Sequence, residues 1–160
     1  MDFKPTNPKD ALALARAPLH LVPSTMTAYA SMAFCEGALK YGAYNWRVAG
    51  VSASVYRSAA LRHFEKWWNG EWADPITGVP HLASLLATVG IILDAELCGK
   101  LTDDRPPAAP VSALLDRTPE MVDRLRALFA GIAPRQYTIA DTAPNPDASA
   151  GRRDRSHHRR

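Results

Sequence analysis

The chain predicts an all-α helix bundle, with an extended N-terminal arm before it and a disordered C-terminal tail after it. Apolar residues recur at helical spacing in several long segments, and nothing reads as a strand of useful length. Pro, Gly and capping residues punctuate those segments at short intervals. Short connections imply antiparallel neighbours. The 160 residues suit one domain, and 47% apolar residues suffice for a core.

Residues 1–23 read as the arm, because Pro5, Pro8, Pro18 and Pro23 break any helix, while Leu19, Leu21 and Val22 are expected to clip onto the core. Ser24 or Thr25 caps a first helix running to about Lys40, with Tyr29, Met32, Ala33 and Cys35 on one stripe and Gly42 ending it. Residues 41–53 form a loop. Ser54 caps a second helix, from Val55 to about Asn69, whose Leu61, Phe64, Trp67 and Trp68 should face the core. Gly70 closes it, and Glu71 to Val79 is a second loop with Asp-Pro and Thr-Gly turn signals.

Pro80 opens a third helix with the stripe Leu82, Leu85, Leu86, Val89, Ile92 and Leu93, and Gly99 suits its left-handed C-cap. A Pro/Ala linker over 106–112 precedes a short amphipathic helix, Pro119 to Phe129, with Met121, Val122, Leu125 and Leu128 on the side that packs on the bundle or on a second subunit. From Ala133 onward the composition predicts disorder. The organisation is therefore an arm (1–23), a helical domain (24–106), a linker with an additional helix (107–132) and a disordered basic tail (133–160).

The formal charge of +3 is a property of the tail: Gly151 to Arg160 hold five Arg and one Asp, +4, leaving −1 for everything else. A near-neutral folded part carries no broad nucleic-acid footprint, and the basic end reads as solvated. Cys35 and Cys98 lack metal or redox spacing and are expected to be buried, reduced core residues. The polar, Pro-rich opening is no signal peptide, and Leu82 to Leu97, interrupted by Ser84, Thr88, Asp94 and Glu96, is too short and polar to span a bilayer. A cytoplasmic location without membrane contact is expected.

Outside the apolar stripes, chemistry-bearing residues concentrate on the three main helices and their loops. Glu36 and Lys40 share a helical face, as a surface ion pair or as a metal ligand beside a phosphate-binding Lys. Arg62 and His63 lie at the core edge of the second helix. Antiparallel packing of the second and third helices brings His63, Glu71, Asp74 and His81 to one end of the bundle, a mixed set suited to Mg²⁺ or Mn²⁺. Asp94, roughly 20 Å further along the third helix, is a candidate to join Glu36 instead. Asn45, Trp46 and Arg47 read as a base-and-phosphate handle, or Trp46 as a buried residue holding the loop down. There is no Gly-rich phosphate loop, Ser-His-Asp set or HExxH.

An ordered set of motifs resembles the phage and bacterial dATP/dGTP diphosphohydrolase family from about residue 7 to 106. It comprises Asn7-Pro8-Lys9-Asp10, Leu21-Val22-Pro23, the run Gly37 to Arg47, Arg62-His63, Trp67 to Glu71, Gly78 to Leu82, Ile92 to Ala95 and Asp103 to Pro106. That family is related to the all-α, MazG-like nucleotide pyrophosphohydrolases, and some phage members, called MazZ, supply dGMP for 2-aminoadenine genomes. The resemblance implies a bundle of the MazG-like type, Mg²⁺ or Mn²⁺, a homo-oligomer (dimer or tetramer), and conversion of dGTP or dATP to monophosphate and pyrophosphate. It departs from the wider pattern of two acidic pairs. Glu71-x-x-Asp74 matches one by letter but falls in a predicted loop, and Leu39 stands where Glu36 would need an acidic partner.

The fold and reaction of the family carry over further than its ligand set, and the residues themselves lead us to expect metal binding by Glu36 and Asp94, or by His63, Glu71, Asp74 and His81. Lys40 and Arg62, with Arg47, neutralise the triphosphate, and Tyr41, Asn45 and Trp46 hold the purine. The competing readings are a non-enzymatic phage DNA- or protein-binding helical module, and a metal-dependent enzyme acting on another phosphate compound.

Overall fold

The computed structural model describes residues 16–141. The rest of the arm and tail expected from sequence lies outside the described residues. The chain divides into two compact units, at Asp104/Arg105.

In the first unit, a 3-10 turn at Leu19–Leu21 leads to Pro23 and then to α1, Ser24–Tyr41. Gly42, at φ +89°, ends α1. A four-residue α2, Trp46–Ala49, is closed by Gly50 and followed by β1, Val51–Ser52. Helices α3, Ala53–Trp68, and α4, His81–Leu97, follow, and β2, Leu101–Thr102, pairs in parallel with β1. This two-residue ladder, which periodicity does not reveal, clips the end of α4 to the start of α3. Asp104 reinforces it, accepting from the Ser54 N–H at 2.8 Å and the Ser54 hydroxyl at 2.5 Å. The carboxylate thus satisfies an orphan donor in the first turn of α3. Ser54, expected as the cap, is instead the capped residue.

Helix α4 is the central element, packed most extensively against α3 and α1. It runs antiparallel to α3, as short connections require. Along α1 the contacts advance with the chain: Ala33 lies with Ala83 and Ala87, and Phe34 sits over Gly90, where an added Cβ would come 3.4 Å from the ring. Small side chains allow this close approach. The buried residues of α4 are His81, Ala83, Ala87, Thr88 and Ala95, not the expected leucine stripe; Val89 and Leu93 are exposed. Other core expectations are corrected in the same way. Leu19, Leu21 and Val22 are exposed, as are Tyr29, Met32, Leu61, Phe64 and Trp68. Cys35 and Cys98 are exposed thiols rather than buried ones.

In the second unit, α5 spans Val111–Leu128, starting well before the expected Pro119 and containing it. Pro119 has no N–H for the Leu115 carbonyl, but the Thr118 hydroxyl donates to that oxygen at 2.7 Å. This substitute bond explains how the helix passes a residue that ordinarily breaks it. No residue of α5 is buried, and Met121, Val122, Leu125 and Leu128 stay exposed.

Candidate functional site

Polar chemistry collects at the two ends of α4. At its start, the loop after α3 sets the geometry. Gly70 turns the chain at φ +95°. Asp74 then folds the loop on itself by accepting the Ile76 and Thr77 N–H groups, both at 3.0 Å. The His81 N–H donates to the Trp72 carbonyl at 3.0 Å, which fixes the first residue of α4 against the loop.

His81 has no accessible surface. Its Nε2 lies 2.8 Å from Glu71 Oε1, and its Nδ1 lies 3.1 Å from Nδ1 of the half-buried His63. Lys66 Nζ donates to the same Glu71 oxygen at 3.1 Å. Hydrogen bonds from His81 first, and then Lys66, hold the Glu71 carboxyl below the usual carboxylate range. Burial is the main cause that lowers the His63 imidazole, aided by His81, Lys66 and Arg62 and opposed by Glu36. The backbone N–H groups of Thr77 and Ile76 lower Asp74. Lys40 is ion-paired with Glu36 one turn away, and that hydrogen bond, with a smaller contribution from Asp74, raises its ammonium.

The fold therefore brings His63, Glu71 and His81 together with Lys66, while Lys40 pairs with Glu36 and Asp74 holds its own loop. Glu36 pairs with Lys40 and Asp94 with Trp46 and Arg47, so the pairing of Glu36 with Asp94 considered from sequence is not made. Lys66, absent from the sequence candidates, is part of this group. Its place five residues before Glu71 is the signal that could have found it.

At the other end of α4, Asp94 is fully engaged. Trp46 Nε1 donates to Oδ2 at 2.6 Å, Arg47 Nε to Oδ2 at 2.8 Å and Arg47 Nη2 to Oδ1 at 2.7 Å. The Arg47 bonds, then the Trp46 bond, hold the Asp94 carboxyl down at about 2, and the same contact raises the Arg47 guanidinium. Trp46 is 9% exposed and packs against Phe34 and Tyr44, with little surface left for a base. The Arg47 guanidinium lies 4.7 Å over the Tyr44 ring, and Tyr44 adopts φ +57°. Trp46 and Arg47 thus anchor the loop to α4. Tyr41 is exposed at the end of α1, and Asn45 is half-buried beside the anchor.

In this arrangement the residues expected to hold a divalent ion are partnered by protein groups. Among the described residues no three His, Cys, Asp or Glu side chains are grouped to hold one. Glu36 is paired with Lys40, Asp94 with Arg47, and Glu71 with His81 and Lys66, while Asp74 is taken by backbone donors. Both ring nitrogens of His81 are bonded.

No curated protein and no solved structure matches the chain. A family model does, over residues 6–105, described as the N-terminal part of dATP/dGTP diphosphohydrolase. The match includes both ends of α4 and stops short of α5. It covers well over half of the 160 residues, and the chain therefore belongs to the dATP/dGTP diphosphohydrolase family.

Proposed function

We propose that the chain hydrolyses purine deoxynucleoside triphosphates, dGTP or dATP, to the monophosphate and pyrophosphate, in control of a phage nucleotide pool and in the MazZ manner. The observation that carries the reading is the cluster of His63, Lys66, Glu71 and His81 at the start of α4, within the region that matches the family. The nucleotide is taken as its Mg²⁺ or Mn²⁺ complex, so that the cation belongs to the substrate. Lys40 and Arg62 neutralise the phosphates, and preorganised cations of this kind act where charge develops during reaction. Tyr41 and Asn45, nearest the end of α1, contact the base. Trp46 and Arg47 hold the loop that carries them.

The test is product analysis. Purified protein is incubated with each of the common ribo- and deoxynucleoside triphosphates and Mg²⁺ or Mn²⁺. The expected products are dGMP or dAMP with pyrophosphate. Full turnover by both Lys40→Ala and Arg62→Ala would remove the phosphate-neutralising roles of these two residues. Silence of the folded protein on every triphosphate would favour a binding module.

Assembly as a homo-oligomer belongs to the same proposal. Leu39, Val48, Leu93 and Leu97 are each more than 60% exposed, and they are the residues proposed to be covered in the oligomer. Light scattering on a sizing column reads the state directly, and a monomer would remove this part. No helix of the described residues is long and apolar enough to cross a membrane. The proposed site of action is the cytoplasm, that of the host cell for a phage protein.

A further inference from the structure

No residue of α5 is buried, yet its apolar side chains recur with a period of seven along the whole helix. With Val111 at position a of a heptad, Val111, Thr118 and Leu125 occupy a, and Leu114, Met121 and Leu128 occupy d. The register runs unbroken from the first residue of the helix to the last. β-Branched residues at the first two a positions, with leucine or methionine at d, are the choice that favours two parallel strands. The polar member of this seam is satisfied within its own helix. The Thr118 hydroxyl donates to the Leu115 carbonyl at 2.7 Å, so covering it strands no donor. Pro119 falls at b, on the outer side, and keeps its ring clear of the seam.

We propose that this face is covered by α5 of a second copy of the chain, the two helices running parallel. The area is sufficient. The eight large apolar residues from Val111 to Phe129 are each between 41% and 71% exposed. At roughly 100 Å² apiece they offer on the order of 800 Å², which is what each partner contributes to a standard-size interface. The charges select the orientation. The g positions are Arg117 and Arg124, and the e positions are Leu115, Val122 and Phe129. In a parallel pair each g side chain faces the following e position of the other helix. Arg117 then lies along Val122 of the second copy, and Arg124 along Phe129 of the second copy. The arginine stems cover apolar surface there, and the Arg124 guanidinium meets an aromatic ring. In an antiparallel pair g faces g, and the two arginine rows would oppose each other. Asp116 and Asp123 sit at f, away from either seam, and Asp123 is already paired with Arg126 of its own helix at 3.2 Å. The helix lies beyond the region that matches the family, so the pairing holds whether or not the chain hydrolyses nucleotides. It is also separate from the oligomer face proposed for the first unit.

The test uses the full chain and light scattering on a sizing column. Leu114→Asp combined with Leu125→Asp should halve the mass found for the wild type. Ala113→Asp combined with Ala127→Asp adds the same charge at the outward c positions and should leave the mass unchanged. All four sites are exposed in a single copy. A monomeric wild type would sink both this pairing and the oligomer face of the first unit. An oligomeric wild type whose mass survives the leucine substitutions, or falls equally in both variants, would sink the α5 pairing alone. Orientation is read by cross-linking in a Cys35→Ser, Cys98→Ser background. Under mild oxidation, Leu114→Cys and Leu128→Cys, each made singly, should give a covalent dimer that reductant reverses, because like d positions meet in a parallel pair. Failure of both to cross-link would overturn the parallel arrangement.

Discussion

At its C-terminal end, α4 holds out Asp94 to an arginine and an indole; at its N-terminal end, it holds out His81 to a carboxylate and a second imidazole. Both arrangements tie a loop to the same helix. They differ in what the partners can do afterwards. Arg47 keeps its charge at any ordinary pH, and indole only donates, so the Asp94 contact has one protonation state across the working range. The imidazoles at the other end each carry two ring nitrogens, either of which can donate or accept. One end is a fixed ion pair that holds a loop still, and the other is a polar cluster whose partners can be exchanged.

The sharpest way to break this contrast is Trp46→Ala. Removing a buried indole costs about 3–5 kcal/mol in comparable cores. Urea unfolding should show a loss in that range, and the folded fraction should show a raised KM as the loop that carries Asn45 loosens, with kcat little changed. A normal midpoint with lost activity would mean that Trp46 contacts the nucleotide after all.

Gly50→Ala probes the same end more gently. Gly50 has φ +78° and ψ 171°, a region almost reserved for glycine, and an added Cβ would lie 3.0 Å from the Lys100 carbonyl oxygen. Strain of this kind costs about 1–3 kcal/mol. Thermal unfolding should fall accordingly, with the NMR signals of the His63 and His81 imidazoles unmoved. If those signals shift, the two ends are not independent.

The acid limb of stability gives a smaller and more local signature. The folded Asp94 carboxyl titrates at about 2, below its ordinary 3.8. Its stabilising effect is therefore complete above about pH 4 and drains away as pH falls toward 2. Asp94→Asn should flatten that part of the stability profile and leave the neutral region without a new slope. An acid limb identical to that of the wild type would show that the Arg47 contact does not persist in solution.

Much of this architecture is legible in punctuation. Pro23, Gly42, Gly70, Pro80 and Gly99 bound the three long helices of the first unit to within a few residues. Antiparallel α3 and α4 then make the meeting of His63, Glu71 and His81 foreseeable. The partners of Asp94 are not, because Trp46 and Arg47 lie 48 and 47 residues away and reach it only through the path of the loop. The buried face of α4 escapes periodicity for a physical reason. Periodicity finds the largest apolar side chains, but α1 approaches along the alanine and glycine face. In α5, the Pro119 signal is real, and the Thr118 hydroxyl overrides it.

The smallest effect concerns the stretch of α4 between its ends. Gly90 is helical, and glycine inside a helix is about 0.5–1 kcal/mol worse than alanine. A Cβ there would meet the Phe34 ring at 3.4 Å, at the edge of ordinary contact. Gly90→Ala should therefore be neutral or stabilise by up to about 1 kcal/mol, less whatever the ring must give. Chemical denaturation measures the sign. A net gain would show that Phe34 can yield and that α1 is held mainly by its alanine contacts. A loss would mean that the approach of α1 to α4 is set by that ring, and the two ends of α4 would then be coupled through the packing between them.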